Sequence, residues 1–355
     1  RKDIASGRLT PDEAQDLIDH LCLMLSVYTP RGLAVGFMIG GRDGSGRDIS
    51  NELTRHFIES IAHTRLPYPG IGLCWNSDTP DDITERACEL VAQGLTHPAF
   101  FNDERITAGF IAAGLPPAEA CEYQHSTCVE LTPVASSNVY VASPYINLLQ
   151  LLHDLIGVQP INVDAERQTA QPCQYASFAA LQEAYEAHLN EVIRQAVIDQ
   201  NTCMMTRYYH GGWPLLSCFV HDCLAKGLDI DRGGARHNWI EPSFVGLSNL
   251  VDALTALKRF VFEERSVTLD ELAAELARNY AEHEELRLRL LNQAPKYGND
   301  DDVADELAVW MTDCIVRATR RYRTFLGGAF HPGFFCWIMH ERLGRETAAS
   351  ADGRF

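Results

Sequence analysis

Ser126-Thr127-Cys128-Val129-Glu130 sets a thiol and a carboxylate two positions apart in a segment of small and β-branched residues. In an extended chain, residues i and i+2 point to the same side, so Cys128 and Glu130 would face one substrate together. On a helix the same spacing would turn them roughly 200° apart, at about 100° per residue. The wider stretch from Tyr123 to Ala142 has no helical period and is rich in Thr, Val, Ser and Pro. It reads as an extended, finger-like loop. Taken alone the pair is weak evidence, because cysteine is often only a small buried hydrophobe.

Other segments lie around the pair at wide separations. Upstream, Gly40-Gly41-Arg42-Asp43-Gly44-Ser45-Gly46-Arg47-Asp48 is followed by Asn51-Glu52-Leu53, and Pro98-Ala99-Phe100-Phe101-Asn102-Asp103-Glu104 comes later. Downstream are Gly233-Gly234-Ala235-Arg236-His237-Asn238 and Pro295-Lys296-Tyr297-Gly298-Asn299-Asp300-Asp301-Asp302. With Cys128-Val129-Glu130 these resemble, in order, the motifs of the glycyl radical enzymes, pyruvate formate-lyase-like proteins, specifically their dehydratase and lyase branch. The resemblance covers nearly all of residues 1–355.

The resemblance implies a helix-rich α/β fold, part of a ten-stranded α/β barrel holding the cysteine loop (about 123–142) in its interior. It implies one partial pyruvate formate-lyase-type domain over 1–355. Cys128 matches the thiyl radical position and Glu130 the acid/base that deprotonates a substrate hydroxyl while a neighbouring group leaves. Tyr145 is similar in position to a pocket-lining tyrosine of choline trimethylamine-lyase, with a core aromatic at a helix start as the other reading. His237 and Asn238 occupy the family's Tyr-Asn turn, where His237 could donate to a substrate oxygen or simply stabilise the turn. His125 is a weaker candidate. The implied reaction is radical dehydration, or C–O, C–N or C–S cleavage, of a small hydroxylated substrate. The implied partners are a radical-SAM activating enzyme, which installs the glycyl radical, and a second copy in a homodimer.

Four departures bear on this reading. Ala351-Asp352-Gly353-Arg354 looks like a segment that precedes the radical-bearing Arg-Val-x-Gly-Tyr loop, and that loop is not among these residues. The start resembles the middle of a full-length member. The expectation is therefore a fragment or one half of a split enzyme, inactive in isolation and binding no cofactor itself. Thr127 replaces the usual Gly before the cysteine, and Ala142 stands where diol dehydratases carry a substrate-binding Asp. Two rival readings remain. One is C–C chemistry of the formate acetyltransferase or arylacetate decarboxylase type, the acetyltransferase being opposed by the single Cys and the Glu. The other is an inactive remnant that only folds or associates.

Composition sets outer limits. A chain of 355 residues can bury a large core, and 46% hydrophobic with 22% charged residues is ordinary for a globular protein. A net charge of −18 argues against nucleic acid or an anionic membrane as partner, since both need a basic face. The eleven cysteines are scattered, with Cys218 and Cys223 the closest, and no C-x-x-C pair suggests zinc or an iron–sulfur cluster. The odd count suits a reducing cytoplasm, and so many thiols suit an anaerobic setting. No polar-to-apolar leader pattern opens the sequence, and no apolar run is long enough to span a bilayer. The glycines at 40–46 lack the Gly-Lys-Ser/Thr of a phosphate loop, and Asp300–Asp302 lack calcium-loop spacing, so a helix cap is the better account of them.

Local signals predict the elements. Thr10-Pro11-Asp12-Glu13 opens a helix, with Thr as N-cap and Pro in the first turn. Strands are expected over 33–39 and 71–75, and within 326–340. Helices are expected over 48–61, 79–93, 102–113, 144–156, 178–207, 216–226, 248–264, 267–280, 283–292 and 303–322.

Overall fold

The computed structural model describes residues 2–30, 35–125, 130–138, 144–158, 175–336 and 338–354. These fall into two compact units, Arg1–Ser137 and Asn138–Phe355. Both are helix-rich and carry parallel strands, as a chain alternating short apolar runs with long helices should.

The first unit is built on a parallel sheet of β1 (Gly36–Gly40), β2 (Gly70–Trp75) and β3 (Ala99–Asn102), in that order. Helices Glu52–Thr64 and Asp81–Ala92 form the crossovers. β2 is central and buried along almost its whole length, the pattern of a parallel strand covered on both faces. Ile39, Ile58, Ile61, Ile71, Leu73, Ile83 and Leu90 form the core between sheet and helices. The first long helix is Pro11–Tyr28, and Thr10 with Glu13 closes a full capping box at its start.

Two boundaries differ from expectation for local reasons. The helix after the glycine-rich turn begins at Glu52 rather than 48, because Arg42 and Asp48 pair across the turn and Asn51 supplies the cap. Residues 99–102 form β3, where the motif reads only as a helix lead-in; Asn102 ends the strand and caps Asp103–Ala112 by accepting from Arg105 N.

Within the stretch expected to be a finger-like loop, β4 (Tyr123–His125) and β5 (Leu131–Pro133) form an antiparallel hairpin. Its register pairs Tyr123 with Pro133, Gln124 with Thr132 and His125 with Leu131. Thus the chain on either side of 126–130 is extended.

The second unit packs around helix Phe178–His210, whose Leu181, Tyr185, Leu189, Ile193 and Val197 recur every four residues and are buried. The Tyr185 hydroxyl donates to the Leu148 carbonyl at 2.8 Å, satisfying the one polar atom on that stripe. β6 (Tyr145–Asn147) pairs in parallel with β7 (Ser243–Val245). Residues 145–147 are therefore strand, not the expected helix start, and the helix begins at Leu148 after an Asn147 cap. The 216–226 segment is also not one helix. It breaks into two single turns, Pro214–Ser217 and Cys223–Lys226, with Asp222 at φ 74 between them. Among the described residues of 326–340 there are isolated bridges, Phe330 to Ile240 and Gly333 to Ser243, rather than a strand, and a helix follows at Met339–Thr347. Asp301 caps Asp302–Thr319 by accepting from Val303 N, which accounts for that acidic run.

Candidate functional site

Cys128, with Ser126, Thr127, Val129 and Ala142, lies outside the described residues. Glu130 is described and half-buried, immediately before β5. The described residues at this site are those that support the 126–130 connection, and several of them are polar and buried.

The hairpin alternates, with Tyr123 and His125 buried and Gln124 exposed between them. Tyr123 donates its hydroxyl to Asp103 Oδ1 at 2.9 Å. Arg42 Nε donates to the other carboxylate oxygen, also at 2.9 Å. Asp103 is only 1% exposed, so this charge is held in the interior by two good partners and by its place in the first turn of a helix. Charge-assisted bonds of this kind contribute about 1.5–3 kcal/mol each. Arg42 also lies 3.6 Å from Glu104, which accepts from Ser77 at 2.7 Å. Cys74, at the end of β2, adjoins this group, and burial pushes its thiol up to about 12. Burial likewise raises the Tyr123 phenol far above its ordinary value, so it remains a donor.

Two residues further along β4, the His125 ring stacks on Phe101 of β3 with centroids 5.5 Å apart and planes within 5°. It lies over the first glycine of β1. A Cβ on Gly36 would come within 2.1 Å of His125 Cε1, so only glycine lets the ring settle there. His125 is 4% exposed, and among the described residues neither ring nitrogen has a hydrogen-bond partner. His97 is near the same spot, with its Cε1 3.3 Å from a Cβ built on Gly70, and burial lowers its pKa.

The remaining candidates lie in the second unit. Tyr145 begins β6 and is half-buried. His237 stacks on Trp239 at 5.3 Å, and its carbonyl accepts from Asn138 N at 3.0 Å. Asn138 Oδ1 in turn accepts from Trp239 N. Asn238 Nδ2 donates to Ala235 O at 2.9 Å, and its own carbonyl accepts from Thr324 Oγ1. The polar contacts of Asn238 therefore hold the turn that leads to β7, while Tyr145 sits on the strand paired with β7. Among the described residues no group of three His, Cys, Asp or Glu side chains could hold a metal, and no helix is long and apolar enough to cross a membrane.

Sequence reasoning missed Arg42, Asp103, Tyr123 and Cys74 as a group. Arg42 and Asp103 sit inside recognised motifs, but nothing local shows that they meet, or that Tyr123 completes them.

Residues 1–344 match the family described as pyruvate formate lyase-like. The chain is 30% identical over 379 residues to trans-4-hydroxy-L-proline dehydratase of Clostridioides difficile, covering 99% of this chain and 47% of that protein. It is 28% identical to isethionate sulfite-lyase of Nitratidesulfovibrio vulgaris, covering 99% of this chain and 45% of the relative. The glycerol-bound B12-independent glycerol dehydratase of Clostridium butyricum superposes with a TM-score of 0.86 at 30% identity, over 98% of this chain and 46% of that one. The chain thus spans about half the length of the proteins it matches.

Proposed function

The chain belongs to the pyruvate formate lyase-like family of glycyl radical enzymes and shares part of their α/β barrel fold, and on that premise we propose that it carries the reacting pair of a carbon–heteroatom lyase. Cys128 abstracts the hydrogen atom, and Glu130 is the acid/base. The observation that carries the reading is Cys128-Val129-Glu130 itself, set in the connection of a hairpin whose first strand is anchored by a buried hydrogen bond to Asp103, just after β3.

A glycyl radical, installed by a radical-SAM activating enzyme, supplies the unpaired electron that makes the Cys128 thiol reactive. None of the glycines of residues 1–355 sits in an Arg-Val-x-Gly-Tyr context, so the proposal draws the radical from outside these residues. The polar-anchored base of the hairpin fits such chemistry, which needs a fixed sulfur shielded from water. Cys128 takes a hydrogen atom from the hydroxyl-bearing carbon, forming S–H and a carbon-centred radical. Glu130 accepts the hydroxyl proton, and the group on the adjacent carbon leaves with its bonding electron pair. The resulting product radical then recovers a hydrogen atom from the Cys128 thiol.

Hydroxyproline, isethionate and glycerol, named for the three relatives, are small hydroxylated molecules, which supports that substrate class here. Tyr145, His237 and Asn238 are proposed as pocket-side residues, with Asn238 acting through the turn it braces. A homodimer and a cytoplasmic setting complete the proposal, the latter suited by eleven scattered cysteines.

The test is residue replacement in protein containing residues 1–355 together with a segment bearing the radical glycine, activated anaerobically. Cys128→Ser should abolish turnover, because an alcohol O–H is too strong to relay the hydrogen atom. Glu130→Gln should retain the radical signal while lowering kcat by roughly 10²–10⁴. Near-native turnover in either variant would reject the assigned role. A glycyl radical spectrum from residues 1–355 alone would reject the placement of the radical outside them.

A further inference from the structure

We propose that Tyr123 and Asp103 are positioning residues that hold the hairpin bearing the Cys128–Glu130 connection against the parallel sheet. This inference rests on the reading of Cys128 and Glu130 as the reacting pair.

The hairpin cannot orient itself. β4 and β5 share only three residue pairs, and an isolated two-stranded ribbon is marginal even when longer. Its direction must come from what it is tied to. On the sheet-facing side of β4 there are two ties, Tyr123 and His125. The His125 tie is a ring stack in which neither nitrogen has a hydrogen-bond partner among the described residues, and it resists separation without fixing rotation. The Tyr123 tie is directional and charge-assisted.

The acceptor is itself immobile. Asp103 is buried at the junction of β3 and helix Asp103–Ala112, and its second oxygen is held by Arg42 of the turn after β1. The carboxylate therefore ties the turn after β1 to the end of β3, on either side of the central β2, and its other oxygen accepts from Tyr123. Tyr123 stands five positions before Cys128. Removing its hydroxyl releases one end of the hairpin and leaves the sheet's own ladder intact.

The test uses the 355-residue chain, so that it needs neither substrate nor radical. Tyr123→Phe removes one oxygen and preserves the ring; Asp103→Asn keeps shape but not charge, and serves if the first variant does not fold. Hydrogen exchange of the hairpin amides in β4 and at Leu131 and Thr132 should quicken about tenfold, the factor matching loss of roughly 1.4 kcal/mol, while β1 and β2 amides stay protected. Iodoacetamide alkylation of Cys128, resolved by mass spectrometry against exposed Cys88 and Cys203, should shift in its pH profile in both variants. A general loss of packing would also make Cys22, buried in the same unit, newly reactive. Unchanged hairpin exchange with an unchanged Cys128 profile overturns the proposal, as does exchange that quickens equally throughout the first unit. Because these signals do not depend on turnover, they are separate from the Cys128→Ser and Glu130→Gln results that test the catalytic reading.

Discussion

Arg354 reaches back to Asp252, its guanidinium 2.6 Å from a carboxylate oxygen that is almost wholly buried. The other oxygen of Asp252 accepts from Tyr297 N at 2.7 Å. Arg354 also pairs with fully buried Asp352, and the Tyr280 hydroxyl donates to Ser350 O. Two motifs that the sequence shows only as separate strings, Pro295–Asp302 and Ala351–Arg354, are thus joined on one helix of the second unit. Burial lowers the pKa of Lys296 within the same group, and its ammonium donates to Leu290 O.

Arg354→Ala should destabilise the second unit by about 2–3 kcal/mol, since it strands two buried carboxylates. The value sits below the full range for a broken buried pair because the guanidinium is half exposed. Urea denaturation measures it. Asp252→Asn should cost less than the arginine change, because the amide can still accept from Tyr297 N.

His153 predicts a pH dependence of stability. It is 1% exposed, and burial pushes its imidazole down to about 4 from 6.5. The folded state therefore holds it neutral while the unfolded chain takes up a proton below about 6.5. The unfolded state binds more protons in this window, so stability rises with pH. The contribution is present above the unfolded pKa and is lost as pH falls towards 4, about 2 kcal/mol between pH 7 and pH 5. Denaturation midpoints across that range should slope less in His153→Leu. His97 acts in the same direction in the first unit.

Gly36→Ala should destabilise the first unit by about 1–3 kcal/mol through overpacking against His125. In a His125→Ala background the same change should be nearly neutral. A double-mutant cycle on thermal or chemical unfolding reads the coupling, and additive effects would show that the ring moves aside freely.

By the resemblance to the family's motifs, Ala142 takes the place of an aspartate of the diol dehydratases. Glycerol and propane-1,2-diol should therefore be turned over with a kcat/KM roughly 10–100-fold below that of the true substrate, the value of one missing charged hydrogen bond. Ala142→Asp should raise it. Efficient diol turnover by the unaltered, activated enzyme would mean that another residue supplies that contact.

Several elements were legible because their causes are local. The Thr10–Glu13 capping box, the Asp301 cap and the four-residue stripe from Leu181 to Val197 need only neighbours in sequence. The fully apolar β2 run was legible for the same reason. β3, β6 and β7 were not: three or four residues carry too little periodicity, and each becomes a strand through a partner far along the chain. The 216–226 segment has helical composition, yet Asp222 at positive φ breaks it so that its carboxylate can pair with Arg236.

The sequence by itself determined the family and nominated Cys128 and Glu130, because ordered motifs and spacing survive without coordinates. Tertiary structure alone decided what supports them. Tyr123 and Asp103 are twenty residues apart, and Arg42 lies sixty-one before Asp103. His125 could settle on β3 only where β1 begins with glycine. Such contacts depend on how strands and turns are brought together, and a buried charge becomes stable only when partners from different segments arrive at once.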